Sequence, residues 1–230
     1  MPEYRRTALL VGALFLLTHV TSVTARVLYA PVIADPTTAD PTTDSRLLAG
    51  ALLEVVLALA VVGTAIALYP VARRVSRTVA LGYVALRTLE SGIILSGVVS
   101  TLALRSVRGQ IAEGVDGLAP IAIALLDLQE WAFVVGPGFV CGTNTVLMAY
   151  LVWHSGFVPR FIGLLGLIGG PLVFAVNVVK LTGLDGELMP WIGLGVVPVF
   201  AWEICLAVYL LVKGFRPITR REFIDARLNR

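Results

Sequence analysis

The residues that could do chemistry stand where a chain this apolar should have none. His19, Glu54, Arg87, Glu90, Asp127, Gln129, Glu130, Asn144, Asn177 and Glu203 each fall inside a long hydrophobic run. A charged side chain at the centre of a membrane helix costs about 2.5–3.5 kcal/mol on insertion scales, so such residues are expected to face the interior of a helical bundle rather than lipid. Arg87 and Glu90 are three residues apart on one helix face and can neutralise each other. Asp127 falls near a span end and can be solvated. Glu54, Glu130 and Glu203 have no basic neighbour on their own helices and only Arg87 and His19 to share. Acids sequestered with too little counter-charge do not all hold as anions, so at least one is expected to carry a proton. A protonated carboxyl in an oily site is either a Brønsted acid or a proton carrier.

The candidate catalytic residues are therefore Glu54, Glu90, Glu130 and Glu203. Trp131 follows Glu130 and Trp202 precedes Glu203, so these indoles, with Phe133, His19, Arg87 and Asn144, are the expected substrate-binding groups. Aromatic faces attract cations, and a protonated carboxyl beside them could generate and hold a lipophilic cation in a dry pocket. No metal and no cofactor is expected. The chain has no P-loop, GxGxxG, HExxH, GxSxG, paired CxxC or aspartate-rich diphosphate motif. Cys141 and Cys205 match no metal spacing and are expected to be packing residues.

The elements that must position these groups follow from composition. Of 230 residues, 57% are hydrophobic and only 14% charged, against about 25% charged in an average soluble domain. Six stretches reach the ~20 apolar residues a membrane-crossing helix needs: about 8–30, 47–69, 79–104, 121–152, 161–181 and 190–213. The fold class is thus all-α, a single integral membrane bundle of six transmembrane helices. The fourth span is overlong, and Gly136-Pro137-Gly138 should kink it. Asp44 or Ser45 is the expected cap of the second helix. Gly138 with Gly142, and the Gly163, Gly166, Gly169, Gly170 stripe, permit close helix crossings.

Twelve of the eighteen Lys and Arg residues fall at the two ends of the chain and in the second and fourth loops. They are Arg5, Arg6, Arg73, Arg74, Arg77, Arg160, Lys213, Arg216, Arg220, Arg221, Arg227 and Arg230. The positive-inside rule then makes both termini cytoplasmic. The opposite side holds Arg26, Arg46, Arg105, Arg108 and Lys180 among its acids. Depths counted at about 1.5 Å per residue put the polar groups between the bilayer centre and that outer side, as one cavity open toward the outer leaflet. The formal charge of +3 is spread over these loops, with no soluble basic domain to bind nucleic acid. The expected partners are the bilayer and a lipophilic small molecule, and a homo-oligomer could complete the site.

Several blocks carry a resemblance: Arg6–Phe15, Leu28-Tyr29-x-Pro31, Gly50–Glu54, Ala80–Arg87 with Glu90-Ser91, Trp131-Ala132-Phe133 with Gly136–Phe139, Val158-Pro159-Arg160 with Gly166–Pro171, and Trp202-Glu203 with Lys213–Pro217. Through these the chain resembles a bacterial six-span membrane family known as Domain of Unknown Function 4386, over nearly its whole length. It departs from that family at Gln129-Glu130, where a His-Asp-type pair is the pattern. The resemblance implies a multi-pass protein of a bacterial cell membrane and no activity. In architecture the chain is also similar to small integral-membrane terpene cyclases, in which acidic residues facing an apolar pocket protonate an olefin or epoxide. Two readings follow for function. One is a membrane-embedded, terpene cyclase-like isomerase or lyase acting on an isoprenoid-type substrate. The other is a proton-coupled small-molecule transporter or a non-catalytic structural membrane protein.

Overall fold

The computed structural model describes the backbone of residues 2–216 and the side chains of residues 4–184 and 193–216. The tail arginines Arg220, Arg221, Arg227 and Arg230 and the side chain of Trp191 lie outside the described residues. Every regular element among the described residues is helical: α1 (Pro2–Ala34), α2 (Pro41–Ala72), α3 (Arg77–Ala112), α4 (Ala119–Phe133), a π-helical segment (Val134–Val140), α5 (Cys141–Ser155), α6 (Arg160–Leu181) and α7 (Asp185–Val212). With α4, the π segment and α5 counted as one span, six helices are long and apolar enough to cross a membrane. The protein is an all-α membrane bundle.

The helix ends follow from local chemistry. Helix α2 begins earlier than expected, and its cap is Asp40 rather than Asp44 or Ser45. Asp40 is extended, its carboxylate accepts from the Thr43 amide at 3.0 Å, and Pro41 fills the first-turn position where a missing N–H costs nothing. The same Thr43 donors hold the Asp40 carboxyl below the usual carboxylate range. At the other end of the bundle, Arg5 Nη2 donates to the Leu211 carbonyl at 2.9 Å, placing a cation at the end of α7.

At the expected kink the helix runs through the π segment. Pro137 has no N–H to give to residue 133, so the ladder widens there, and the Cys141 amide reaches back five residues to the Gly136 carbonyl. The extra residue turns α5 relative to α4.

The small-residue faces do pack. A Cβ on Gly170 would lie 2.7 Å from the Gly142 carbonyl oxygen, and one on Gly142 would lie 2.9 Å from the Gly170 oxygen. Backbone meets backbone here, so nothing can give way. Gly170→Ala is expected to destabilise the bundle by about 1–3 kcal/mol, the usual cost of overpacking. Thermal unfolding in detergent checks this, with Gly92→Ala as control, since its Cβ would meet nothing within 4 Å.

The main apolar core fills the half of the bundle nearest the arginine-rich loops. It includes Val11, Phe15, Tyr83, Met148, Leu151, Trp202, Leu206 and Leu210. In the other half the apolar clusters are small, one around Val32, Leu47, Leu104 and Ala122 and one around Leu57, Val61 and Ile94. The looser half holds the polar groups.

Candidate functional site: a chamber over an ion cluster

A chamber of about 230 Å³ lies among α1, α2, α3, the π segment, α6 and α7. Most of its wall is apolar, with Val23, Leu57, Val61, Ile94, Val173 and Val199 among the contributors. Its lining extends to Lys180, next to the last residue of α6, so it reaches the end of the bundle away from the arginine-rich loops. Packed core closes the other end.

The chamber floor is an ion cluster assembled from three helices. Arg87 of α3 places Nη1 3.3 Å from Glu90 Oε2 and Nη2 3.1 Å from Glu203 Oε1 on α7, and its Nε donates to Tyr83 Oη at 3.1 Å. Asn144 of α5 donates to Glu90 from behind, and Phe15 lies under the guanidinium. The Arg87 side chain is only 5% exposed, so charge pairing must offset its desolvation.

His19 completes the floor, with one ring nitrogen toward a carbonyl and the other toward a carboxylate. Its Nδ1 is 2.9 Å from the Phe15 carbonyl oxygen, which can only accept, so Nδ1 carries hydrogen. Its Nε2 lies 3.4 Å from Glu203 Oε2. A neutral ring with hydrogen on Nδ1 offers a lone pair at Nε2, and a lone pair facing a carboxylate repels it. The contact is attractive only with a second proton, on Nε2 or on Oε2. The ring of His19 is fixed further by Phe200, edge to face at 4.5 Å.

The structure brings together Glu90, Glu203, His19, Arg87 and Phe133 from the expected set, and Asn144 supports Glu90 without lining the chamber. The Arg87–Glu90 pair forms as expected, but Arg87 also holds Glu203 across helices. Three expectations are corrected. Glu130 stands outside the chamber, 38% exposed and 2.7 Å from Arg26. Arg26, expected inside the first span and toward the opposite side, is the partner that the expected sharing of only Arg87 and His19 left out. Trp131 is 46% exposed on the bundle surface, and Trp202 is 1% exposed in the core against Gly166. Adjacent helix residues point about 100° apart, and Trp202 is turned by that step from Glu203 into the core. The aromatic that joins Glu203 is three residues away, Phe200. Asp127 is exposed on the bundle surface, outside the chamber.

Glu54 lies beside the chamber rather than in it. It is 6% exposed and takes a hydrogen bond from Tyr29 Oη at 2.9 Å and one from Gln129 Nε2 at 3.5 Å, with no ion pair among the described residues. Sequence reasoning placed Asn177 among the interior polar groups but missed Tyr29, Cys141 and Lys180 as members of this region. The i, i+7 step from Val173 to Lys180 was a legible signal; the turn that exposes Cys141 depends on the π segment and was not.

Cys141 reads out the chamber directly. In a Cys205→Ser background, a small membrane-permeant maleimide is expected to modify Cys141, and an apolar occupant of the chamber should slow that reaction. Mass spectrometry of the intact protein checks both.

Among the described residues no group of three or more His, Cys, Asp or Glu side chains is arranged to hold a metal ion. No curated protein and no solved structure matches the chain. A family model does match, over residues 10–214, and the chain belongs to that family, described as Domain of unknown function (DUF4386).

Proposed function

We propose that this protein is a membrane-embedded enzyme of the bacterial cell membrane that uses the proton between His19 and Glu203 to start a carbocation reaction on a lipophilic, isoprenoid-type substrate. The observation that carries this reading is the contact between His19 and Glu203 on the floor of a chamber whose wall is mostly apolar. The chamber exceeds the ~150 Å³ apolar cavity that accepts benzene. A ring-sized or branched segment fits inside while a longer chain trails from the mouth.

The proton passes to an alkene carbon, where a C–H bond forms from the π pair, or to an epoxide oxygen, where a C–O bond breaks. Either leaves a cationic carbon. Arg87 then faces two carboxylates, Glu90 and Glu203, and these anions favour a cation held near the floor. Loss of a proton from a neighbouring carbon returns hydrogen to the His19–Glu203 pair, and the freed electrons form the product alkene. The cycle is a redox-neutral isomerisation, or a cyclisation where a second alkene of the substrate first gives its π pair to the cation, forming the ring C–C bond and leaving the charge on that alkene's other carbon. Apolar walls keep water from quenching the cation.

The test is turnover of polyprenylated and epoxidised substrates by purified protein in detergent, comparing wild type with Glu203→Gln. Product that depends on Glu203 supports the reading. Proton-driven uptake into proteoliposomes without any product would replace the enzyme with a carrier built on the same pair.

A further inference from the structure

The chamber is not sealed along the seam between α1 and α7. A Cβ on Gly12 of α1 would lie 2.8 Å from the Ala207 carbonyl oxygen of α7, so the two helices touch there. Farther along, Arg26 of α1 pairs with Glu130 at 2.7 Å, and its guanidinium carbon lies 5.3 Å from the centre of the Phe133 ring, both on α4. The step from Gly12 to Arg26 covers about 21 Å of helix, over which α1 leaves α7 and crosses to α4. Among the described residues the last polar or ring contacts between α1 and α7 are those of His19, with Glu203 and Phe200. Beyond them the seam opens as a wedge. Val23 on one side and Phe200 on the other both line the chamber, yet they are 52% and 46% exposed.

On the bilayer-facing side of α7 an apolar groove of about 420 Å³ continues this opening. Val196 and Phe200 line chamber and groove alike, and Val197, Ala201, Ile204 and Cys205 carry the groove on along the helix. The helix is one of the six long and apolar enough to cross a membrane, so hydrocarbon rather than water lies against this face. Phe200 is the side chain that parts the chamber from the groove, with the His19 ring 4.5 Å away on the chamber side. A chamber of about 230 Å³ holds roughly nine carbons, if the six of benzene take ~150 Å³. A longer chain has to leave it. Sending the remainder into water would expose every methylene, whereas the groove keeps it in hydrocarbon.

We infer that the groove on α7 binds the unreacted tail of the substrate, a long-chain isoprenoid that enters sideways from the bilayer past Phe200. The inference rests on the proposed function for the chamber and narrows its substrate class to chains too long for the chamber alone. The reacting end lies beside His19 and Glu203, and the tail runs out between Val196 and Phe200 onto Val197, Ala201 and Ile204.

The two cysteines stand on either side of this partition, Cys141 in the chamber and Cys205 in the groove, and both are free thiols. The experiment labels the unmodified full chain in detergent with a small maleimide, and peptide mass spectrometry reads each thiol, so the outcome does not depend on turnover. The probes are geraniol, short enough for the chamber, and geranylgeraniol, twice its length. Geraniol is expected to slow labelling of Cys141 alone. Geranylgeraniol is expected to slow both thiols, by about tenfold at about ten times its half-protecting concentration, as mass action requires. Excess geraniol should then free Cys205, because both alcohols need the chamber. Protection of Cys141 by both alcohols with Cys205 untouched overturns the inference and leaves the proposed function standing, whereas protection of neither thiol overturns both. Cys205 slowed by geraniol alone, or protected by geranylgeraniol despite excess geraniol, assigns the groove to a lipid chain held independently of the chamber. Cys205 reactivity that falls with protein concentration in the absence of either alcohol assigns it to a second copy of the chain. Each of these results overturns the inference.

Discussion

Replacing Arg87 with methionine should destabilise the bundle by about 3–5 kcal/mol, the cost of breaking a buried pair and stranding its partner. Two partners are stranded here. Glu90 and Glu203 both lean on this guanidinium, their side chains 4% and 13% exposed. Asn144 and His19 cannot replace a full positive charge shared between two helices. Adding Glu203→Gln and Glu90→Gln to Arg87→Met should recover most of the loss, because the penalty comes from orphaned charge rather than from lost volume. Unfolding in detergent, followed by circular dichroism, distinguishes the two. If the single variant matches wild type, the cluster does not hold α3 to α7.

The second large effect is on chemistry. Glu203→Gln and His19→Phe each remove one half of the pair that holds the labile proton, and each should lower kcat by about 10²–10⁴-fold, the usual range for a general acid. KM should change little, since the apolar wall that binds substrate is intact. The double variant should fall little below either single one, because two residues acting as a unit are not additive. Glu130→Gln is the control, with near wild-type turnover expected, because that acid lies outside the chamber beside Arg26. Full activity in Glu203→Gln would remove the proposed acid.

Much of the site was legible from residue type alone. Glu90, Glu203, His19 and Arg87 stand out because ionisable groups are costly in hydrocarbon and have to meet one another. Their partners were less legible. Arg26 was expected inside the first span, but its pairing with Glu130 required the packing of α1 against α4. Trp131 and Trp202 were nominated by adjacency, but Glu130 itself lies outside the chamber and Trp202 turns from Glu203 into the core.

The sequence by itself determined that the chain is a bundle of six membrane helices and that a few ionisable side chains must be enclosed within it. Both follow from transfer free energies, which depend on residue type and run length and not on a partner helix. Only the tertiary structure decided how those side chains divide: Arg87 takes two acids, Arg26 takes one, and Tyr29 and Gln129 are left with Glu54. That division depends on helix rotation and on the π segment around Pro137. A shift of one residue turns a side chain by about 100°, which hydropathy does not record.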